Sequence, residues 1–296
     1  MVTLSQVSDT TSNREVAVDL NSLSLERISV LDQCIKSLAI NPLLNYVFGL
    51  GVVDFFRKVS GNHILKNLKD GPGSWKSMLA HYDAAPRNVI DHLVNRYISF
   101  PSGLRNRQKI VISALAHLIE TYGKDQPLYL VGIGSGSGNN TMQAIKLKRS
   151  SIQSIKVQLF DLNEEALNFG RSKSQELGLE KEIEFIHSNA TQVESRIGNP
   201  PQIIEMIGLI EYLSDQELLR LFESVRRFRN AKSSIVISSI SEAHGIDRFL
   251  RRTLNFDLNY RSPQKVLQLL SEFGYKRFNV FPEPTGIFSV IVGHTS

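Results

Sequence analysis

Residues 128–141 have the sequence Leu-Tyr-Leu-Val-Gly-Ile-Gly-Ser-Gly-Ser-Gly-Asn-Asn-Thr, and this stretch decides the fold. An apolar run ends in alternating glycines, and helix-compatible residues follow over 142–147. This order predicts a strand, a tight turn and a helix. Glycine permits positive φ and lets a ligand lie against the main chain, and a helix begins with unpaired N–H groups. Such a turn is where α/β sheets bind nucleotide-like ligands.

An acidic residue follows the next predicted strand. Residues 155–160 are rich in apolar side chains and lead into Asp161, about 23 residues beyond Gly138. A carboxylate at this place can accept hydrogen bonds from the two hydroxyls of a ribose. Asp161 could also shape a turn with Asn163, and the two roles are compatible. A glycine-rich turn that serves packing alone is the alternative interpretation.

The glycine spacing separates two adenosine-containing cofactors. The NAD fingerprint, Gly-x-Gly-x-x-Gly, would need glycine at Ser137 or at Asn139, so it does not fit. The pattern Gly134-Ser135-Gly136-Ser137-Gly138 instead resembles the first motif of the class I S-adenosylmethionine-dependent methyltransferases. That family places an acidic residue where this chain has Gly132, and the acid helps to hold the methionine end of the cofactor. The resemblance implies S-adenosylmethionine as cofactor, with either another group in place of that acid or an altered site.

Later segments extend the resemblance over residues 105–296. Residues 184–190 resemble the third-strand motif, in which an Asp-Ala pair touches adenine, although Asn189 replaces the acid. Residues 203–213 resemble the fourth-strand segment that forms the floor between cofactor and substrate. Residues 260–263 and 286–290 look like a little-described set of methyltransferases. The resemblance implies cofactor contacts from Gly132, Gly134, Ser135, Gly136, Gly138, Asp161, Leu162, Asn189, Ala190, Ile207 and Gly208.

From residue 105 onward, strand-like and helix-like segments alternate, which predicts a parallel sheet with helices on both faces. The fold class is therefore α/β, with a Rossmann-like class I methyltransferase sheet that is mostly parallel. The family resemblance implies an antiparallel hairpin at the end of the chain. The predicted strands are 128–133, 155–160, 183–187, 203–207, 234–239, 275–281 and 287–293. The predicted helices are 108–122, 164–177, 215–229 and 263–273.

Residues 1–104 are predicted to form a helical N-terminal region, a lid over the substrate, whose first twenty or so residues are a mobile arm. Helices are expected over 23–37, from Pro42 toward Phe56, and over most of 74–97, with a joint at 101–103. Residues 105–296 then form the S-adenosylmethionine-binding core. The N-terminal helices could instead only pack on the sheet, or form the contact of a homodimer.

Composition is that of an ordinary globular protein, with 42% hydrophobic and 21% charged residues among 296. The single cysteine, Cys34, excludes an internal disulfide and favours a reducing compartment. With no secretory signal at the N-terminus, we expect a cytoplasmic protein, and we expect no metal site. The apolar stretch 38–56 is interrupted by polar residues, so we favour its burial over contact with lipid.

Methyl transfer from a sulfonium mainly requires alignment of donor and acceptor. A hydroxyl acceptor benefits from a base, whereas a carboxylate or a free amine can do without one. The catalytic candidates beside the predicted floor are Glu211, Tyr212 and His244, although Glu211 could be a solvated acid at a helix start and His244 a surface histidine. Candidate substrate-binding residues are Tyr82, Arg87, Arg96 and Tyr260, with ordinary surface charge as the alternative.

The sequence therefore predicts an S-adenosylmethionine-dependent methyltransferase that acts on a small-molecule acceptor. A net charge of +5 keeps open a nucleic-acid methyltransferase, for which no stacking platform is evident. A non-catalytic binding protein that kept the fold is the second alternative. The arginines that suggest nucleic acid are Arg226, Arg227, Arg229, Arg248, Arg251 and Arg252.

Overall fold

A computed structural model describes residues 16, 18–60, 71, 73–82, 92 and 96–296. Its helices are α1 (Val30–Ile35), α2 (Leu50–Ser60), α3 (Trp75–Tyr82), α4 (Ser99–Gly123), α5 (Asn139–Lys148), α6 (Glu164–Glu176), α7 (Asp215–Phe228), α8 (Asp247–Leu254) and α9 (Pro263–Glu272). Its strands are β1 (Leu128–Ile133), β2 (Ile155–Asp161), β3 (Ile183–His187), β4 (Ile203–Met206), β5 (Ser234–Ile240), β6 (Arg277–Pro282) and β7 (Phe288–His294).

The strands form one seven-stranded sheet in the order β3-β2-β1-β4-β5-β7-β6. Strands β1 to β5 pair in parallel, whereas β7 runs antiparallel to both β5 and β6. This confirms the predicted α/β class and the closing hairpin. Every residue of β1 and β5 is buried, because helices cover both faces of the sheet.

Alternate side chains of β1 lie on opposite faces of the sheet. Leu128 and Leu130 belong to the apolar cluster that contains the buried residues of α4 and α5. Tyr129 and Val131 belong to the cluster that contains the buried residues of α7 and α9. The glycine turn follows the carboxyl end of β1, and the chain then enters α5 on the same face of the sheet as α4.

The N-terminal helices differ from their predicted bounds. The helix expected over 23–37 begins only at Val30, where the Ser29 side chain accepts a hydrogen bond from Asp32 N. Residues 24–29 have no regular secondary structure, and the Asn106 side chain binds both backbone groups of Glu26, at 2.8 and 2.9 Å. Two π-helical turns, Lys36–Ile40 and Leu43–Val47, interrupt the α-helical geometry that the sequence predicts.

The joint predicted at 101–103 is wrong, because these residues lie inside the continuous helix α4. Pro101 is tolerated there because the first turn of a helix needs no backbone donor. Gly103 serves close packing instead of flexibility, since a Cβ atom would lie 3.2 Å from Cδ2 of Phe288. The predicted boundary after residue 104 falls within this helix.

In the apolar stretch 38–56, some apolar side chains are buried and others are exposed. Leu44 and Val53 are buried in a third apolar cluster, together with Leu104 and Phe288. Tyr46 and Val47 each leave 66% of their surface exposed. Among the described residues, no helix is both long and apolar enough to span a membrane.

Candidate active site

The glycine turn after β1 has the backbone geometry that its composition predicts. Gly134, Gly136 and Gly138 have φ angles of +67°, +54° and +71°, a region that side chains other than glycine rarely adopt. The amides of Gly134 and Ser135 both donate to the carbonyl of Phe160, at 2.8 and 3.1 Å. These bonds fix the turn against the end of β2.

Asp161 joins the glycine turn to helix α6. Its Oδ2 accepts from the Gly136 amide at 2.7 Å, and its Oδ1 accepts from the Asn163 amide at 2.8 Å. Asn163 in turn caps α6 by accepting from the Ala166 amide. Each carboxylate oxygen has a second lone pair that a ligand hydroxyl can use. The turn role expected for Asp161 is present, and it leaves room for ribose binding.

A cavity of about 320 Å³ opens at this edge of the sheet. One half is formed by Gly134, Ser135, Gly136, Ser137, Asn139, Asn140, Asp161, Leu162, Asn163, Ala166, Ser188, Ala190, Ile207 and Gly208. The other half is mostly apolar and is formed by Met78, Leu79, Tyr82, Phe100, Leu104, Arg107, Glu211, Tyr212, Ile240, Phe256, Leu258 and Phe288. Gly73, Ser74, Trp75 and Leu209 complete the wall.

Helix α3 covers the glycine turn. The Cβ of Trp75 lies 3.7 Å from the position that a Cβ at Gly136 would take. The Trp75 ring also packs on Phe169 of α6, with 4.9 Å between ring centroids, and Lys76 pairs with Glu165 of α6 at 2.5 Å. The N-terminal region is therefore docked on the side of the cavity that carries the glycine turn.

A buried ion pair lies at the floor of the apolar half. Arg107 Nη1 is 3.4 Å from Glu211 Oε1, and both side chains are about 95% buried. The Arg107 guanidinium also stacks over Phe288 at 4.6 Å and is hydrogen-bonded to Tyr82. Within the described part of the chain, Nε of Arg107 and Oε2 of Glu211 have no hydrogen-bond partner. Burial raises the pKa of Glu211, while Arg107 opposes that rise.

Comparisons with known proteins address the fold and the family together. The model of the ubiE/COQ5 methyltransferase family matches residues 94–228, which include the glycine turn, Asp161 and Glu211. The matched segment, together with the fold, supports a class I S-adenosylmethionine-dependent methyltransferase. The recognition made from the sequence motifs is thereby confirmed. No curated protein gives a significant sequence match to the chain.

Solved structures share the fold of this methyltransferase at low sequence identity. A possible exported protein from Bordetella parapertussis superposes with a TM-score of 0.62 at 13% identity, covering 90% of this chain and 97% of its own. Magnesium protoporphyrin IX methyltransferase from Synechocystis PCC 6803, solved with bound S-adenosylhomocysteine, has a TM-score of 0.55 at 13% identity, covering 83% of this chain and 98% of its own.

The structure brings most of the predicted site residues of the methyltransferase to the cavity. These are Gly134, Ser135, Gly136, Asp161, Leu162, Ala190, Ile207, Gly208, Glu211, Tyr212 and Tyr82. Asn189 is exposed instead and caps a short 3-10 helix, where its side chain accepts from the Thr191 amide. Gly138 lies behind the turn against Phe185, and Gly132 lies in the interior of β1. Arg87 lies outside the described residues.

His244 and Tyr260 do not line the cavity. His244 is only 1% exposed, and its Nδ1 accepts from the Ile246 amide at 3.2 Å. Its Nε2 therefore carries the proton and donates to the Tyr260 hydroxyl at 3.0 Å, which itself donates to Asp247. Burial lowers the pKa of His244 to about 4, so the ring is neutral. These contacts fit a structural link between β5 and α8.

Arg96 also lies away from the cavity, where it pairs with Asp32 of α1 at 2.9 Å. Two of the arginines that suggested nucleic-acid binding, Arg226 and Arg227, form ion pairs with Glu223 and Glu194. Arg251 pairs with Asp247 at 2.8 Å. These side chains thus contribute to contacts within the fold.

Tyr212 closes the cavity on the side of the N-terminal region. Its ring packs on Phe256 at 6.0 Å between centroids, and its hydroxyl lies against the backbone of Gly73. A Cβ atom at Gly73 would overlap this hydroxyl and would lie 2.9 Å from Phe256. Although 44% of its surface is exposed, partial burial raises the pKa of Tyr212. A neutral phenol is available as a hydrogen-bond donor.

Arg107 is a cavity residue that the sequence analysis did not single out. The sequence does contain a signal, since Arg107 occupies a helical position between the apolar residues Leu104 and Val111. A charged side chain on a buried face requires a partner, which here is Glu211.

Proposed function

We propose that this methyltransferase methylates a hydroxyl group on a largely apolar small molecule, with Glu211 as the general base. The observation that carries the proposal is the position of Glu211, a buried carboxylate in the wall of a mostly apolar half-cavity, whose Oε2 has no hydrogen-bond partner among the described residues. Structures with the same fold include magnesium protoporphyrin IX methyltransferase and the CMeT domain of citrinin polyketide synthase. Their names support a small-molecule acceptor.

The residues of the polar half fit the cofactor. Gly134 and Gly136 leave a cradle that a Cβ atom would narrow, and a Cβ at Gly134 would lie 3.0 Å from Leu209. Asp161 is placed to accept from the ribose hydroxyls, while Leu162 and Ala190 offer apolar contact to the adenine ring. When bound, S-adenosylmethionine supplies a methyl group activated by its positively charged sulfur.

The apolar half fits the acceptor. Its walls come from α3, α4, β5, the segment after α8 and the start of β7, with aromatic side chains from Phe100, Phe256 and Phe288. Small-ligand sites are typically apolar with a few convergent polar groups. In this proposal, residues 1–104 form the lid region, of which α3 covers the glycine turn, and residues 105–296 form the core.

Glu211 has the environment of a base for a weakly acidic hydroxyl. Burial shifts the pKa of the Glu211 carboxyl group toward neutral pH, and a general base is most effective when its pKa lies near the working pH. The acceptor hydroxyl would donate to Oε2 of Glu211 and transfer its proton there as its oxygen bonds to the methyl carbon. The bond from that carbon to the cofactor sulfur would break at the same time, with S-adenosylhomocysteine as the leaving group. Arg107, beside Oε1, keeps the carboxylate oriented and stabilises negative charge that develops on the acceptor oxygen.

The test combines an acceptor search with an isosteric substitution. The purified protein is incubated with methyl-labelled S-adenosylmethionine and a metabolite extract, and the labelled product is identified by mass spectrometry. Glu211→Gln should lower kcat by roughly 10²- to 10⁴-fold. Its affinity for S-adenosylhomocysteine, measured by calorimetry, should be unchanged. The pH profile of kcat should fall on the acid side for the parent and flatten in the variant.

Three results would contradict the proposal. The first is undiminished turnover by Glu211→Gln, and the second is a product methylated at an atom that never carried a hydroxyl. The third is cofactor binding without any labelled product from extracts, which would favour the non-catalytic alternative. Glu217→Gln is a suitable control, because Glu217 is an exposed acid that only caps α7.

A further inference from the structure

Gly132 leaves the end of β1 without a side chain on the face covered by α4 and α5. A Cβ atom at this position would lie 2.7 Å from Cδ2 of Leu159 and would overlap the hydroxyl of Ser135. An acidic side chain at this position would therefore have to displace Leu159 or Ser135. The residue paired with Gly132 on the neighbouring strand β4 is Glu205. Paired residues of adjacent strands share a face, so Glu205 projects to the same side.

Glu205 is a buried carboxylate directed at the start of α5. It is 5% exposed, and its Oε2 accepts from the Thr141 hydroxyl. The Asn140 side chain also hydrogen-bonds to the Glu205 carboxylate. Asn140 and Thr141 belong to the first turn of α5, directly after the glycine turn. Burying a carboxylate is costly unless it is hydrogen-bonded, and these two side chains provide the bonds.

Asn140 connects Glu205 to the cavity. Asn140 is one of the residues that line the cavity, and its Oδ1 is buried without a hydrogen-bond partner in the part of the chain that the structure describes. A carboxylate can only accept, so the bond to Glu205 must come from the Asn140 NH₂ group. The amide orientation is thereby fixed, and Oδ1 is the atom left for a ligand. An amide oxygen can only accept a hydrogen bond, so the ligand group next to Oδ1 must be a donor. A ligand carboxylate would be repelled at this position.

From these contacts we infer that Oδ1 of Asn140, held in place by Glu205, accepts a hydrogen bond from the α-ammonium group of the cofactor. This inference rests on the proposed use of S-adenosylmethionine and concerns its amino-acid end. The ammonium carries three donors, and Asn140 stands beside the turn that cradles the cofactor. Glu205 acts as a positioning residue, since it reaches the ligand through Asn140. The acid missing from β1 is thus replaced by one on β4.

The test compares two ligands that differ in one group. S-adenosylhomocysteine carries the α-ammonium, whereas its deaminated analogue keeps the carboxylate and lacks the ammonium. Asn140→Ala should weaken S-adenosylhomocysteine binding by about tenfold or more and should leave the analogue unaffected. Glu205→Gln should have the same selective effect, because its amide can also donate to Asn140 and no longer fixes the orientation. Calorimetry gives both affinities without any acceptor.

Gln143→Ala is the matched control. Gln143 also lies on α5 but is not among the residues that line the cavity, so this variant should leave both affinities unchanged. The inference is overturned if Asn140→Ala and Glu205→Gln weaken both ligands equally, or if neither ligand is affected. If the parent protein binds neither ligand, the assignment of the cofactor fails as well. Far-ultraviolet circular dichroism of each variant identifies any loss of fold, and Glu205→Asp, which keeps the charge, should partly restore selectivity.

Discussion

Asp161→Ala removes the carboxylate that lies in the polar half of the cavity. The parent carboxylate has two bonds to backbone amides, and the ribose hydroxyls would add bonds to its remaining lone pairs. A hydrogen bond to a charged group contributes about 1.5–3 kcal/mol. At about 1.4 kcal/mol for each factor of ten, cofactor binding should weaken by roughly 10- to 150-fold.

The same substitution also removes the acceptor of the Gly136 and Asn163 amides. Because these bonds join the glycine turn to α6, the free energy of unfolding should fall by about 1–3 kcal/mol even without ligand. Titration calorimetry with S-adenosylhomocysteine gives the binding loss, and urea unfolding of the free protein gives the stability loss. Asp161→Asn keeps one acceptor oxygen, so it should lie between the parent and Asp161→Ala in both measurements.

The two measurements distinguish a residue that binds the ribose from a residue that only shapes the turn. A variant that loses stability while binding S-adenosylhomocysteine within twofold of the parent would leave Asp161 as a turn residue only. The position of the cofactor along β2 would then have to be reconsidered.

Two further perturbations address the histidines and the cavity wall. Burial lowers the pKa of His244 to about 4, and that of His81 likewise, against 6.5 for the free side chain. The unfolded chain then binds protons that the folded chain does not, so stability should fall as pH drops from about 6.5 to 4, by up to roughly 3 kcal/mol for each histidine. Urea unfolding at several pH values should show a smaller slope for His244→Gln, and an equal slope would contradict the assignment. Gly73→Val should displace the Tyr212 hydroxyl and reduce methyl transfer more than S-adenosylhomocysteine affinity, whereas equal losses in the two assays would contradict a role in the acceptor half.

Much of the core could be predicted because its signals are local. The apolar run that forms β1 ends at a glycine, and its predicted and observed bounds agree at 128–133. Ser214 and Glu217 form the capping box at the start of α7 that their spacing predicts. In such segments, periodicity and end signals lie within a few residues of one another, so no tertiary information is needed.

The parts that were missed depend on contacts between distant residues. Glu26 lies outside the helix that its sequence pattern predicts, and Asn106, 80 residues later, binds its backbone. The pairing of Arg107 with Glu211 spans 104 residues. The register that places Glu205 beside Gly132 is set by strand pairing, which no local pattern in either segment specifies.

Helix α4 explains why the N-terminal region and the site form one physical unit. Three consecutive residues of this helix point in different directions, because successive side chains on a helix are about 100° apart. Arg105 pairs with Glu26 at 2.6 Å, Asn106 also binds Glu283 beside the closing hairpin, and Arg107 reaches Glu211 in the cavity. A displacement of the N-terminal segment would therefore be transmitted to the guanidinium that orients the proposed base. In the proposed mechanism, the region before the core would affect catalysis through α4 as well as through the cover that α3 provides.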